Sequence, residues 1–162
     1  ILMTPTLLQT LYGFDAATAL KANSLAIVFL SLGCVAAGAI VDRVGAGRGL
    51  LLGGLLLGVT SWPFYSSLKL HPEWLFPLYA LTGLFVGSIG AVPFVMVNAF
   101  PPVVRFSGLS FSYNVAYAIF GGLTPLVVSL LIKADPLGPA YYVAALCGLA
   151  VIIGLYLRGR GR

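Results

Sequence analysis

Acidic and basic side chains punctuate this sequence so sparsely that long apolar runs separate them. The runs free of Asp, Glu, Lys and Arg cover residues 22–41, 49–68, 74–104, 106–132 and 136–157. A helix needs roughly 20 mostly apolar residues to cross a bilayer. The pattern predicts five full spans, at residues 22–41, 49–69, 74–100, 108–132 and 138–157. Lipid offers the backbone no hydrogen-bond partners, so each span should be an α-helix and the fold an all-α polytopic membrane protein. The uncharged run 1–14 is too short to cross alone, and is expected to be the outer half of a preceding helix.

Details of the pattern sharpen this picture. Asn23 or Ser24 is expected to cap the first full span. The Gly54 and Gly58 pair in the second span permits close backbone approach. In the third span, Gly83, Gly87 and Gly90 predict tight packing and Pro93 a kink. The fourth has the densest polar content, and the fifth is so apolar that it is expected to face lipid. Trp62 and Trp74 bracket the loop 69–74, where aromatic rings settle at the membrane interface.

Composition agrees: 60% of the 162 residues are hydrophobic and 8% charged, far below the roughly 25% charged of soluble domains. The net charge of +5 is parcelled out between apolar runs, so it reports topology and implies no nucleic-acid partner. Arg43, Arg48, Arg105, Arg158, Arg160 and Arg162 fall in alternate connections. Lys21, Lys69 and Lys133 fall in the others, each with a carboxylate nearby (Asp15, Glu73, Asp135). The positive-inside rule places the arginine loops and the basic tail in the cytoplasm of a multi-pass cell-membrane protein. No secretory signal is visible. Cys34 and Cys147 read as small hydrophobes. His71 is a solvated loop residue, and no metal cluster, phosphate loop or other cofactor site emerges.

Two features bear on function. Residues 38–48 read Gly-Ala-Ile-Val-Asp-Arg-Val-Gly-Ala-Gly-Arg. Asp42, Arg43 and Arg48 can pair with one another or with a partner half, holding one conformation closed; alternatively they form a plain interfacial turn. On the fourth span, Ser110, Asn114, Tyr117 and Gly121 follow at spacings of four, three and four, which makes one polar stripe. An amide in lipid needs a partner, so Asn114 either hydrogen-bonds substrate or joins two helices. Gln9, near the outer mouth, is a further candidate for substrate contact.

The motif Gly38-x-x-x-Asp42-Arg43-x-Gly45, followed by Arg48, resembles the signature loop of the major facilitator superfamily. Ala46 and Gly47 stand where a pair of arginines normally follows Gly45. A second segment is similar to the metabolite:proton symporter family of α-ketoglutarate, shikimate, citrate and proline/betaine permeases. It runs Phe100-Pro101-Pro102-Val103-Val104-Arg105-Phe106-Ser107-Gly108, then Tyr113-Asn114 and Phe120-Gly121-Gly122-Leu123-Thr124-Pro125. Pro5-Thr6-Leu7-Leu8-Gln9 with Gly13-Phe14 looks like that family's seventh helix. Asn98 occupies a position where the family usually has a carboxylate.

The resemblance implies the carboxyl-terminal half of a twelve-helix transporter in a bacterial inner membrane. Residues 1–14 would end helix seven, the five spans would be helices eight to twelve, and 158–162 would form a cytoplasmic tail. It further implies a conformational-switch set of Gly38, Asp42, Arg43, Gly45, Arg48 and Arg105. A small organic acid, osmolyte or related metabolite would move by alternating access, with protons and a missing amino-terminal six-helix half as partners. No carboxylate lies deep in a span, so coupling groups are expected in that other half. A non-transporting scaffold or sensor, or an uncoupled facilitator, is the alternative. An intramembrane enzyme is disfavoured, because the spans hold no ionisable catalytic groups.

Overall fold

The computed structural model describes Ile1 and residues 3–160. It is all-helical among the described residues, with five helices long and apolar enough to cross a membrane. The chain opens on the short helix α1 (Thr4–Thr10), followed by α2 (Ala16–Val44) and α3 (Ala46–Ser67). A 3₁₀ turn at Pro72–Trp74 leads into α4 (Leu75–Val86), a second at Gly87–Gly90 into α5 (Ala91–Ala99), and then come α6 (Arg105–Ala134) and α7 (Gly138–Arg160). Of the expected basic tail, residues 158–160 continue α7, and Gly161 and Arg162 lie outside the described residues.

The helix starts follow local capping rather than the edges of the apolar runs. The second helix begins at Ala16, not at Asn23 or Ser24, because Asp15 has extended backbone and its carboxylate accepts the Thr18 N–H at 2.9 Å. A hydrogen bond from the Thr18 side chain first, and then backbone N–H groups including that of Thr18, hold the exposed Asp15 carboxyl below its usual range. Asn23 instead lies about two turns inside the helix, where its Oδ1 accepts the Tyr79 hydroxyl of α4. In the loop after α3, Glu73 meets His71 at 3.1 Å.

The bundle is knitted by two close helix pairs, α2 with α4 and α3 with α7. Glycine makes both possible. A Cβ on Gly33 would sit 2.0 Å from the Leu84 carbonyl oxygen, and one on Gly83 would sit 2.4 Å from that of Ala26. Across the other pair, a Cβ on Gly47 would lie 2.8 Å from the Arg158 nitrogen, and one on Gly154 the same distance from the Gly47 oxygen. Membrane helices gain little from hydrophobic exclusion against one another, so such backbone contact supplies the packing. The core collects towards the end of the bundle that carries the α3–α4 loop, around Leu8, Ala22, Ala26, Phe64, Leu68, Leu75 and Tyr79. Phe64 stacks on Tyr79 at 5.0 Å, and the Tyr12 hydroxyl donates to the Tyr65 carbonyl at 2.7 Å.

The break in the third span falls at Gly87–Gly90, the turn just before Pro93, where a proline's ring and missing N–H disrupt the bond to the carbonyl four residues back. One expectation changes. The barest helix is α6, not α7. Its most apolar stretch is 6% buried and Val128 is its buried residue, whereas α7 lays one face along α3.

Candidate functional site

At the opposite end of the bundle, the turn between the first two long helices is a single residue. Gly45 closes α2 and opens α3, with φ 87° and ψ 156°, a backbone region essentially reserved for glycine. The expected connection 42–48 is thereby shortened to that glycine: Gly38 lies in α2 as the span 22–41 implies, Asp42 and Arg43 close the same helix, and Arg48 lies in the first turn of α3. Asp42, Arg43 and Arg48 are all exposed. Among the described residues Asp42 forms no ion pair with either arginine, so its carboxylate is presented outward. Gly38 faces open space, with nothing within 4 Å of where a Cβ would be. Arg105 is placed differently. Half-buried at the start of α6, its Nε donates to the Phe100 carbonyl at 3.3 Å and ties down the 100–105 turn.

Beside the Gly45 turn lies a cavity of about 820 Å³ between the start of α3, the end of α5 and the end of α7. Arg48, Arg158 and Asn98 are its polar side chains. The Asn98 amide donates back to the Phe94 carbonyl at 2.9 Å.

The polar stripe of α6 points away from the rest of the bundle. Ser110 is half-buried, while Asn114, Tyr117 and Gly121 are exposed. The Asn114 Nδ2 donates to the Ser110 carbonyl of its own helix at 2.8 Å, so Asn114 does not join two helices within this bundle. Tyr113 and Tyr117 stack with ring centroids 4.7 Å apart, flanking Asn114 along the helix. Cβ atoms on Gly121 and Gly122 would meet nothing within 4 Å, which leaves a shallow, open surface one turn beyond Tyr117. Further along α6, Thr124 Oγ1 meets the Tyr142 hydroxyl at 2.6 Å and pins α6 to α7. Gln9 is not brought into a hydrogen bond with the stripe; it sits exposed on α1, its amide donating to the Pro5 carbonyl at 3.2 Å.

Sequence reasoning missed a second polar region. A buried cavity of about 310 Å³ between α3, α4 and α7 is lined by the hydroxyl-bearing residues Thr4, Ser61, Tyr65, Tyr79, Thr82 and Ser88 within an otherwise apolar wall. The signal was present at helical spacing, as Ser61 and Tyr65 on one span and Tyr79 and Thr82 on the next. Thr82 and Ser61 return their hydroxyls to carbonyls of their own helices, so no buried polar side-chain atom is left without a partner among the described residues.

Neither a family model nor a solved structure matches the chain. Among curated proteins it is 34% identical over 163 residues to a citrate-proton symporter of Salmonella typhi, covering 96% of this chain and 37% of that protein. It is 36% identical over 128 residues to the citrate-proton symporter of Klebsiella pneumoniae, covering 75% and 29%. An ectoine/proline transporter of Corynebacterium glutamicum is 39% identical over 77 residues, 44% of this chain and 14% of that one. The chain therefore spans about a third of the length of the symporters it matches. Its relatives are transporters, not enzymes.

Proposed function

We propose, from a chain homologous to the metabolite:proton symporters of the major facilitator superfamily, that it works as the carboxyl-terminal half of a proton-coupled secondary transporter of small metabolites. On this reading α1 ends helix seven and the five spans are helices eight to twelve. They sit in a bacterial inner membrane with the arginine turns on the cytoplasmic side. Substrate is held near the midplane between this half and a companion six-helix half, and the two rock about it.

The observation that carries the reading is the bare polar face of α6. A helix with Ser110, Asn114 and Tyr117 on its surface is poorly suited to lipid, where an unmet amide is costly. Asn114 already spends one N–H on Ser110 and keeps its carbonyl oxygen for an outside partner. A water-filled path between two halves satisfies that demand; a lipid-facing surface does not. The outward-facing Asp42 beside a one-residue hinge supports the switch role in the same way, since a basic group of the companion half can close on it in one state and leave it in the other.

The test is uptake by the full-length protein in proteoliposomes, offered citrate, other organic acids, proline and betaine with and without an imposed pH gradient. Uptake of one solute that rises with the gradient supports proton symport. Gradient-independent uptake supports a facilitator. Absence of uptake across the panel, in protein shown to be folded, favours a non-transporting scaffold.

A further inference from the structure

The cavity between α3, α5 and α7 shares Gly45 and Arg48 with the switch turn and lies apart from the substrate stripe. Its wall has two chemistries. Arg48 in the first turn of α3 and Arg158 in the last turns of α7 supply two guanidinium groups, and Asn98 of α5 adds an amide. Phe94, Val95 and Leu155 supply apolar surface. No Asp or Glu lines it among the described residues, and neither arginine is ion-paired among them.

The two like charges are brought to one place by the glycine contacts of α3 with α7, where Gly47 lies against the Arg158 backbone and Gly154 against Leu51. Like charges converging at the edge of a low-dielectric body repel, and an anion between them removes the penalty. Guanidinium groups favour phosphate oxygens because planar, paired N–H donors match them. The cavity stands where the candidate spans Ala46–Ser67 and Gly138–Gly159 end, which is headgroup depth rather than midplane. Its volume of about 820 Å³ lies within the roughly 300–1,000 Å³ of small-molecule sites. Basic pockets between membrane helices at this depth take acidic lipid headgroups.

We propose that this cavity binds the phosphodiester headgroup of an anionic phospholipid, with Arg48 and Arg158 on the phosphate and the first acyl carbons against Phe94 and Leu155. The mixed wall assigns the phosphate to a lipid rather than to a free ion. Whether the protein transports citrate, an osmolyte or nothing leaves this inference untouched.

Native mass spectrometry of the full-length protein in micelles, titrated with phosphatidylglycerol or phosphatidylcholine, tests it. Phosphatidylglycerol should bind in preference to phosphatidylcholine, and excess inorganic phosphate should not displace it. R48Q and R158Q should each weaken it about fivefold and the double variant more than either alone. R43Q, on an exposed arginine outside the cavity wall, should leave it unchanged. Should the glutamine variants misfold, R48K and R158K keep the charge and should retain most of the binding. Equal binding of both lipids overturns the proposal, as does a folded double variant with wild-type preference or an R43Q loss as large as R48Q. Displacement by inorganic phosphate would transfer the site to a free anion and overturn the lipid assignment.

Discussion

Gly33→Ala isolates what holds α2 against α4. The added methyl carbon would lie 2.0 Å from the Leu84 carbonyl oxygen, 2.9 Å from its carbon and 3.1 Å from the Gly87 Cα. All three are backbone atoms, so no side chain can rotate aside. Reaching even the tightest contact real methyl carbons show, about 3 Å, requires the helices to part by about 1 Å. A gap of that size forfeits roughly a quarter to a half of the dispersion energy of every close pair along the seam. Overpacking of this kind costs about 1–3 kcal/mol. Rigid backbone on both sides places Gly33→Ala near the upper end.

The intrinsic gain of replacing a helical glycine by alanine, about 1 kcal/mol, works in the opposite direction. Gly148→Ala on α7 separates the two, because a Cβ there would meet nothing within 4 Å. It carries the helix gain without the clash. Unfolding of the full-length protein in mixed micelles, followed by tryptophan fluorescence, should show Gly148→Ala slightly more stable than wild type. Gly33→Ala should be less stable by about 1–2 kcal/mol, so the two variants differ by about 2–3 kcal/mol, the steric term alone. Equal stability of the two would refute the argument that backbone contact at Gly33 sets the α2–α4 distance.

Gly45→Ala forces a methyl-bearing residue into φ 87° and should lower stability by about 1–3 kcal/mol in the same unfolding assay, although nothing lies within 4 Å of the new carbon. Tyr79→Phe removes the hydroxyl that donates to Asn23 between α2 and α4, and should cost about 0.6–1.7 kcal/mol. Asn114→Ala should raise the apparent KM for uptake several-fold while leaving membrane yield and thermal stability near wild type, because its amide bonds only its own helix. Loss of yield with unchanged KM would indicate a structural role instead. Asp42→Asn should slow or bias exchange between inward- and outward-open states, read by accessibility labelling, with little effect on insertion; unchanged exchange would remove it from the switch.

The number of spans was legible because the bilayer leaves the backbone one solution, and charges can stand only at its margins. Helix ends were less so, since an uncharged run marks what lies in lipid, not where hydrogen bonding begins. Asp15 starts α2 well outside the apolar run, and Gly45 reduces an expected loop to one residue. The stripe of α6 could be read from spacing alone, because a single helix carries it. What spacing could not supply was pairing. Nothing local says that Gly47 meets Gly154 or that Gly33 meets Leu84, so the helix left bare was misjudged. The cavity uniting Arg48 with Arg158 was invisible for the same reason.

That separation of pairing from pattern bears on coupling. Asp15, Asp42, Glu73 and Asp135, the acidic residues of this chain, stand at or beyond helix ends, and the midplane of the bundle offers hydroxyls and amides. A carboxylate at mid-membrane costs several kcal/mol unless it faces water or a partner, so its absence leaves a tightly packed bundle with no acidic group at its middle, which can tilt without dragging one through lipid. On the proposed reading, α6 can then orient a solute by hydrogen bonds but cannot release a proton to the far side. Proton coupling must enter through groups that face the α6 stripe from outside this bundle. The pH dependence of uptake and the solute affinity therefore answer to different residues, and a change at Asn114 that weakens binding should leave the response to the gradient in place.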